Sequence, residues 1–193
     1  MSGAGAAPRL ILASRSPQRR AILNQLRIPF EAVDVDVEEL NAGPAIDVVT
    51  SNALRKAEAG AIERPGETIL GVDTLVVLDG EIFAKPAGER DAEATLRRLS
   101  GRTHEVISGL ALLRPGNPQV VHEVTKVTFR DLDEEFVDWY VRTGEWSGRA
   151  GGYAIQGQGA ALVLRIMGDY LNVVGLPVAT LLNLDLRLML RES

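Results

Sequence analysis

The chain has 193 residues, of which 46% are hydrophobic and 24% are charged, and this is the composition of an ordinary globular protein. A formal net charge of −5 argues against broad nucleic-acid binding, because proteins that bind duplexes normally carry a basic excess. The absence of cysteine excludes disulfides and thiolate chemistry, and with only two histidines a zinc site is not expected. The most apolar segment is interrupted by charged residues, and the first nine residues lack the apolar core of a signal peptide. We therefore expect a single cytoplasmic domain over residues 1–193, with neither a membrane nor a nucleic acid as partner.

The segment Leu10–Leu23 predicts a short strand, a tight polar loop and a helix. Ser16 is suited to cap that helix, and Pro17 to occupy its first position. Arg19 and Arg20 then fall in the first turn, where positive charge opposes the helix dipole. Their position is explained if an anion binds the N–H groups of that turn, but two solvated arginines on a capped helix explain it equally well.

The next segments predict one strand and one helix. Valines alternate with acids from Val33 to Glu38, which predicts a strand with one apolar and one acidic face. The alanine-rich segment from Ala45 to about Glu63 predicts a helix. It carries Lys56, which on its own would be interpreted as a solvated surface lysine.

A hairpin is predicted around Asp79-Gly80, the dipeptide most favoured in two-residue turns. Counting back from this turn places Thr74 opposite Lys85, so Asp73 and Lys85 lie at the same open end of the hairpin. Asp73 interrupts an apolar strand, where a carboxylate is costly unless it is paired or binds a metal. Either a functional acid or a structural ion pair with Lys85 satisfies this pattern.

The second half of the chain predicts further helices, strands and one long loop. The loop runs from Gly144 to Gly159, and six of its sixteen residues are glycine. Long ordered loops in compact domains are usually functional, and the aromatic residues in this one argue against disorder. The other predicted elements are helices over 89–99, 133–142 and 177–190 and strands over 103–113, 119–129 and 160–167.

Several motifs, in a fixed order along nearly the whole chain, resemble those of one protein family. They are LILASRSPQRR (10–20), LRKA (54–57), GVDT (71–74), AKP (84–86), SGRTHEVISGLAL (100–112), GRAGGYAIQG (148–157) and NVVGLP (172–177). On these motifs the chain is identified as a member of the Maf family of nucleoside triphosphate pyrophosphatases. One position departs from the pattern, because many members have Arg where this chain has Gln18, and a branch acting on 7-methyl-GTP has an aromatic residue there.

The resemblance implies a fold and an assembly. The fold is α/β, a twisted mixed sheet curved around a deep cleft, with helices outside and two lobes. Similar proteins are homodimers that split a nucleoside triphosphate between its α and β phosphorus atoms and so remove unwanted nucleotides from the pool.

The resemblance also implies roles for individual residues. Asp73 corresponds to the proton acceptor, and Asp73 and Glu39 correspond to the acids that hold a divalent cation, Mg²⁺ or Mn²⁺. Oxygen ligands suit these ions. The corresponding cationic positions and hydroxyl donors are Lys56, Lys85, Arg19, Arg20, Ser14 and Ser16.

Three residues bear on the choice of base. Gln156 and Thr74 correspond to the residues of the pyrimidine-specific branch, whereas Gln18 matches neither branch. We therefore expect dTTP and UTP as substrates. Two alternatives are a 7-methyl-GTP pyrophosphatase and a nucleotide-binding regulator of cell division that does not need turnover.

Overall fold

A computed structural model describes residues 10–190 as an α/β fold built on a seven-stranded mixed sheet. The strands are β1 (Leu10–Ala13), β2 (Glu31–Val33), β3 (Thr68–Leu78), β4 (Glu81–Phe83), β5 (Thr103–Leu113), β6 (Gln119–Phe129) and β7 (Val163–Met167). The α-helices are α1 (Pro17–Gln25), α2 (Ala45–Glu63), α3 (Glu89–Leu99), α4 (Glu134–Arg142), α5 (Tyr170–Val174) and α6 (Val178–Leu184). The strand order is β2-β1-β3-β5-β6-β7, with β4 also paired to β3. β1 runs parallel to β2 and β3, and the other pairs are antiparallel, which confirms the predicted fold class.

A gap along one edge of β3 places the cleft. β5 pairs with residues 69–77 along one edge. On the other edge β1 pairs with residues 68–71 and β4 with residues 76–78. Among the described residues, 72–75 therefore have no strand neighbour on that edge. Asp73 and Thr74 lie in this gap, between the end of β1 and the end of β4.

Two glycines let α2 lie directly on the sheet. A Cβ atom at Gly71 would lie 2.1 Å from the carbonyl oxygen of Ala53, and one at Gly109 would lie 2.3 Å from that of Val49. Gly109 stands opposite Asp73 in the ladder, on the same face of the sheet. Any larger residue at either position would push the helix away from the Asp73 carboxylate.

The opposite face of β3 carries two separate hydrophobic cores, one on each side of the gap. One core joins Leu70 and Val72 to β1, α1 and α6. The other joins Val76 and Leu78 to α3 and α4. The division of the core at residues 72–76 gives the two lobes that the family resemblance implies.

Three predictions about local structure are wrong. The strand over Val33–Glu38 ends at Val33, because β1, its pairing partner, ends at Ala13 opposite that residue. Thr74 does not face Lys85, because β4 ends at Phe83 and Thr74 pairs with Ser108 on β5. The long C-terminal helix is divided into α6 and a 3-10 helix over Leu186–Leu190.

The hairpin turn and most remaining elements agree with the predictions. Leu78 faces Glu81 across the turn, as expected, and Ser16 caps α1 by accepting from the Arg19 N–H. The prediction about the first nine residues concerns a segment outside the described part of the chain. Within residues 10–190, no helix is both long and apolar enough to cross a membrane.

Candidate active site

The gap in the sheet opens into a cleft of about 770 Å³. This volume lies within the range of about 300–1,000 Å³ found for small-molecule sites. One wall is the segment from Ser14 to Arg19 at the start of α1, and the other is part of the loop over 148–156. Asp73 lies between them, and Lys85 lies on the rim.

The buried end of the cleft is organised by one lysine between two acids. Asp73 is only 6% exposed, and its Oδ1 accepts a hydrogen bond from Lys56 Nζ at 2.7 Å. The same ammonium lies 2.8 Å from Glu39 Oε1. The proposed ion pair between Asp73 and Lys85 is therefore wrong, and so is the interpretation of Lys56 as a solvated lysine. Alternation puts Asp73 on the face covered by α2, which carries Lys56 on its inner surface.

A fourth polar residue, Asn52, completes this group and was not singled out from the sequence. It lies one helical turn before Lys56 and is 1% exposed. Its amide nitrogen donates to Asp73 Oδ2 at 3.0 Å. Helical spacing of four residues from Lys56 was the available signal, since it places both side chains on one face of α2.

Arg19 occupies the other side of the buried end. Its guanidinium donates to Ser14 Oγ at 3.1 Å, Thr74 Oγ1 at 3.1 Å and the Gly175 carbonyl at 2.9 Å. Burial lowers the pKa of Arg19, and the negative charges of Asp73 and Glu39 act in the opposite direction. A guanidinium starts from so high a pKa that Arg19 stays charged, so it is a fixed cation within a wall of the cleft.

The positions of Arg20 and Arg15 differ from the predicted set of site residues in opposite ways. Arg20 donates to the Ser14 carbonyl and to the Asp34 carboxylate, and it is not part of the cleft wall. Arg15, which was not predicted as a site residue, does line the cleft. Its guanidinium lies 3.1 Å from Asp36 Oδ1. Only the structure distinguishes the two, because both follow β1 closely, Arg15 in the loop and Arg20 in the first turn of α1.

The rim of the cleft is less constrained. Lys85 and Gln156 are exposed, and within residues 10–190 neither side chain has a hydrogen bond or an ion pair. Gln18 accepts from Ser16 Oγ at 3.2 Å. All three side chains border the cleft, and of the three only Gln18 has a polar partner within residues 10–190.

The wall that carries Gln156 is anchored by a buried aromatic pair. His104 Nε2 and Tyr153 Oη are 2.9 Å apart, and both rings pack edge-on against Phe129. Burial lowers the pKa of His104 to about 4 and raises the pKa of Tyr153, so both are neutral at pH 7. The loop over 144–159 is thus an ordered part of the site, as its aromatic content indicated.

Two carboxylates are available for a cation. Glu39 and Asp73 both contact one ammonium, which places their oxygens close together. No group of three or more potential ligands is found in the described part of the chain. Two carboxylates fit Mg²⁺ or Mn²⁺ when ligand phosphates and water complete the coordination. They are too few for a site in which the protein supplies all the ligands.

The fold and the cleft together define an α/β protein suited to a polyanionic ligand, with a buried arginine at a helix start beside an acid–lysine–acid group. The chain belongs to the Maf-like protein family, since residues 9–187 match the model of that family.

Curated relatives cover nearly the whole chain. A dTTP/UTP pyrophosphatase of Symbiobacterium thermophilum is 49% identical over 171 residues, 88% of each chain. One of Deinococcus radiodurans is 43% identical over 179 residues, 92% of each chain. One of Pyrococcus furiosus is 40% identical over 177 residues, which cover 91% of this chain and 93% of the relative.

Proposed function

We propose that this chain is a nucleoside triphosphate pyrophosphatase that hydrolyses the bond between the α and β phosphates and releases a nucleoside monophosphate and pyrophosphate. The observation that carries the proposal is the buried Asp73, paired with Lys56 in a cleft that the buried Arg19 also lines. The names of the relatives, dTTP/UTP pyrophosphatase, support the same reaction.

We assign the steps of this reaction to particular side chains. Water attacks the α phosphorus and loses a proton to the Asp73 carboxylate, while the bridging oxygen leaves with pyrophosphate. Asp73 is suited to this role because Lys56 and Asn52 fix both of its oxygens. Charge that develops on the phosphates is stabilised by fixed cations, which need no reorganisation during the reaction.

The cations fall into two groups. Arg19 and Lys56 are held in place before a ligand binds, and Ser14 and Ser16 add hydroxyl groups at the start of α1. Lys85, on the rim, reaches the phosphates once they enter the cleft. Arg20, bonded to Asp34 and the Ser14 carbonyl, supports the loop.

Glu39 and Asp73 would hold a divalent cation, Mg²⁺ or Mn²⁺. When bound, such an ion supplies charge neutralisation and orientation of the phosphate oxygens. Two carboxylates beside the phosphate-binding cations are the donor set that this role requires.

Gln156 is the residue that we propose reads the base. Its amide can accept from N3–H and donate to O4 of uracil or thymine, whereas a carboxylate can only accept. Because Gln156 is exposed on the cleft wall and has no protein partner among the described residues, its amide is available for a base. Thr74 contributes indirectly, by holding Arg19.

A panel of nucleotides tests the proposed function. Pyrophosphate release is measured with dTTP, UTP, dCTP, GTP and 7-methyl-GTP, each in Mg²⁺ and in Mn²⁺. We expect dTTP and UTP to give the highest kcat/KM. A preference for 7-methyl-GTP over dTTP would contradict the assignment of the base, and binding of nucleotides without turnover would favour the regulator. A homodimer is also expected, and light scattering of the purified chain checks it.

A further inference from the structure

Asn52 is a buried amide whose hydrogen bonds join two separate parts of the cleft. Its Nδ2 donates to the Leu40 carbonyl at 2.9 Å, and its Oδ1 accepts from the Leu40 N–H at 2.8 Å. The second N–H of the amide donates to Asp73 Oδ2 at 3.0 Å. Both donors and the oxygen of a residue that is 1% exposed are therefore used.

The paired contact with Leu40 replaces a missing strand neighbour. Beyond Val33 the chain has left the sheet, because β1 ends opposite that residue. The segment over 34–44 still has to be held against α2, and the Asn52 amide offers Leu40 one donor and one acceptor, as a neighbouring strand would. Arg55 adds a second, exposed anchor by donating to the Glu38 carbonyl at 2.8 Å.

The two partners of Asn52 place the two acids of the site. Glu39 directly precedes Leu40, so fixing the Leu40 backbone sets the position from which Glu39 reaches Lys56. The bond to Asp73 Oδ2 stops rotation of that carboxylate and leaves Oδ1 facing Lys56. One side chain thus holds both carboxylates on the two sides of a single ammonium.

We propose that Asn52 is a positioning residue for the hydrolysis described above, which fixes the Asp73 carboxylate and the Glu39 segment in one geometry. The proposal rests on the proposed function and adds a residue that acts through Asp73 and Glu39 and does not touch the substrate. Loss of a hydrogen bond to a charged group commonly costs about tenfold to hundredfold in the corresponding equilibrium or rate constant. The expected effect of losing Asn52 is therefore a fall in kcat of about tenfold or more.

Two substitutions separate the two contacts. Asn52→Ala removes both of them. Asn52→Asp is nearly isosteric and keeps an oxygen for the Leu40 N–H, but in its ionised form it loses the donors to the Leu40 carbonyl and to Asp73 and adds a like charge beside Asp73. Arg55→Met is the matched control, because it removes an anchor of the same segment without touching Asp73. Val49→Ala controls for lost packing of α2, since Val49 is buried in a separate cluster.

The experiment combines kinetics, melting and hydrogen exchange at the Leu40 amide. We expect Asn52→Ala to lose protection of that amide and about tenfold in kcat, with KM changed less than kcat. Asn52→Asp should keep more of the protection than Asn52→Ala, because it still accepts from the Leu40 N–H, and should lose as much kcat. Val49→Ala should lower the melting temperature and leave kcat within about twofold. Arg55→Met loosens the segment beside Glu39 but keeps both hydrogen bonds to Asp73, so it should lower kcat less than Asn52→Ala does.

Three results would overturn the proposal. They are a wild-type kcat in Asn52→Asp, an equal loss of kcat in Arg55→Met, and unchanged exchange of the Leu40 amide in Asn52→Ala. If Asn52→Ala does not fold, the isosteric Asn52→Asp still gives the kinetic answer. A wild-type chain that hydrolyses no nucleotide would instead refute the proposed function, and the exchange measurement would still decide whether Asn52 holds the segment.

Discussion

The buried end of the cleft and its rim differ in how much of their geometry exists before a ligand binds. Asp73, Lys56 and Arg19 each have two or more polar partners and are at most 9% exposed. On the rim, Lys85 and Gln156 are exposed and have no side-chain partner within residues 10–190. Preorganised charges stabilise developing charge at no cost in reorganisation. Under the proposed function, the chemistry would take place at the buried end and the substrate would be read at the rim.

Removal of the divalent cation is expected to have the largest effect. Excess EDTA should stop hydrolysis, because Glu39 and Asp73 would hold a cation that supplies charge neutralisation to the phosphates. The melting temperature should change little, since two carboxylates contribute little to metal-dependent folding. Addition of Mg²⁺ or Mn²⁺ should restore turnover. Full activity in excess EDTA would contradict the role of the cation.

Asp73→Asn is expected to have the next largest effect. It should lower kcat by about two to four orders of magnitude, the usual range for removal of a catalytic acid or base. The amide keeps the shape of the side chain, so the folded state should survive, as circular dichroism and melting would show. Near-normal turnover in a folded variant would remove Asp73 from the mechanism. A variant that fails to fold would favour a purely structural role for the carboxylate.

The two lysines test the comparison directly. Lys56→Met should lower kcat/KM by roughly a hundredfold and should also lower the melting temperature, because it leaves Asp73 buried without its ammonium. Lys85→Met should lower kcat/KM by only about tenfold and leave melting unchanged, since Lys85 is exposed and has no partner to lose in the described part of the chain. Equal effects of the two substitutions on activity and on melting would remove the distinction between the two ends.

Gln156→Glu should act on selectivity rather than on chemistry. Leaving one base edge unpaired costs about 1–3 kcal/mol, which is roughly tenfold to hundredfold in discrimination. We expect kcat/KM for dTTP and UTP to fall by this factor and to fall more than in Gln18→Ala. The relevant measurement is kcat/KM of both variants on dTTP, UTP and GTP. A uniform loss across all three nucleotides would show that Gln156 does not read the base.

The smallest effect is expected from protonation of His104, in the wall behind Gln156. It should change stability and not activity. The pKa of His104 is about 4 in the folded chain and 6.5 as an ordinary value, so below pH 6.5 the unfolded chain binds a proton that the folded chain does not. Unfolding free energy should therefore fall by about 2 kcal/mol from pH 6.5 to pH 5. Urea denaturation at both pH values checks this, with His104→Gln as the control. An identical loss in the control would show that other groups cause it.

The elements of the fold were largely predictable because they depend on local patterns. Helix α1 has its Ser16 cap and Pro17, and the hairpin has Asp79-Gly80, so each carries its own signal. The length of β2 was not predictable, because it depends on where its partner β1 ends. The same limit applied to the site. Asp73 was conspicuous as a carboxylate in an apolar strand, but its partner, Lys56, is distant in sequence and reaches it only because Gly71 and Gly109 let α2 approach.

The proposed function depends most directly on which phosphoanhydride bond of the nucleotide is broken. Phosphorus NMR of the products of dTTP, recorded during turnover by the wild-type chain, answers this in one spectrum. The proposed function predicts dTMP and pyrophosphate in equal amounts, with both signals absent when Asp73→Asn replaces the wild type. Formation of dTDP and inorganic phosphate would place the cleavage at the terminal phosphate and contradict the proposed function.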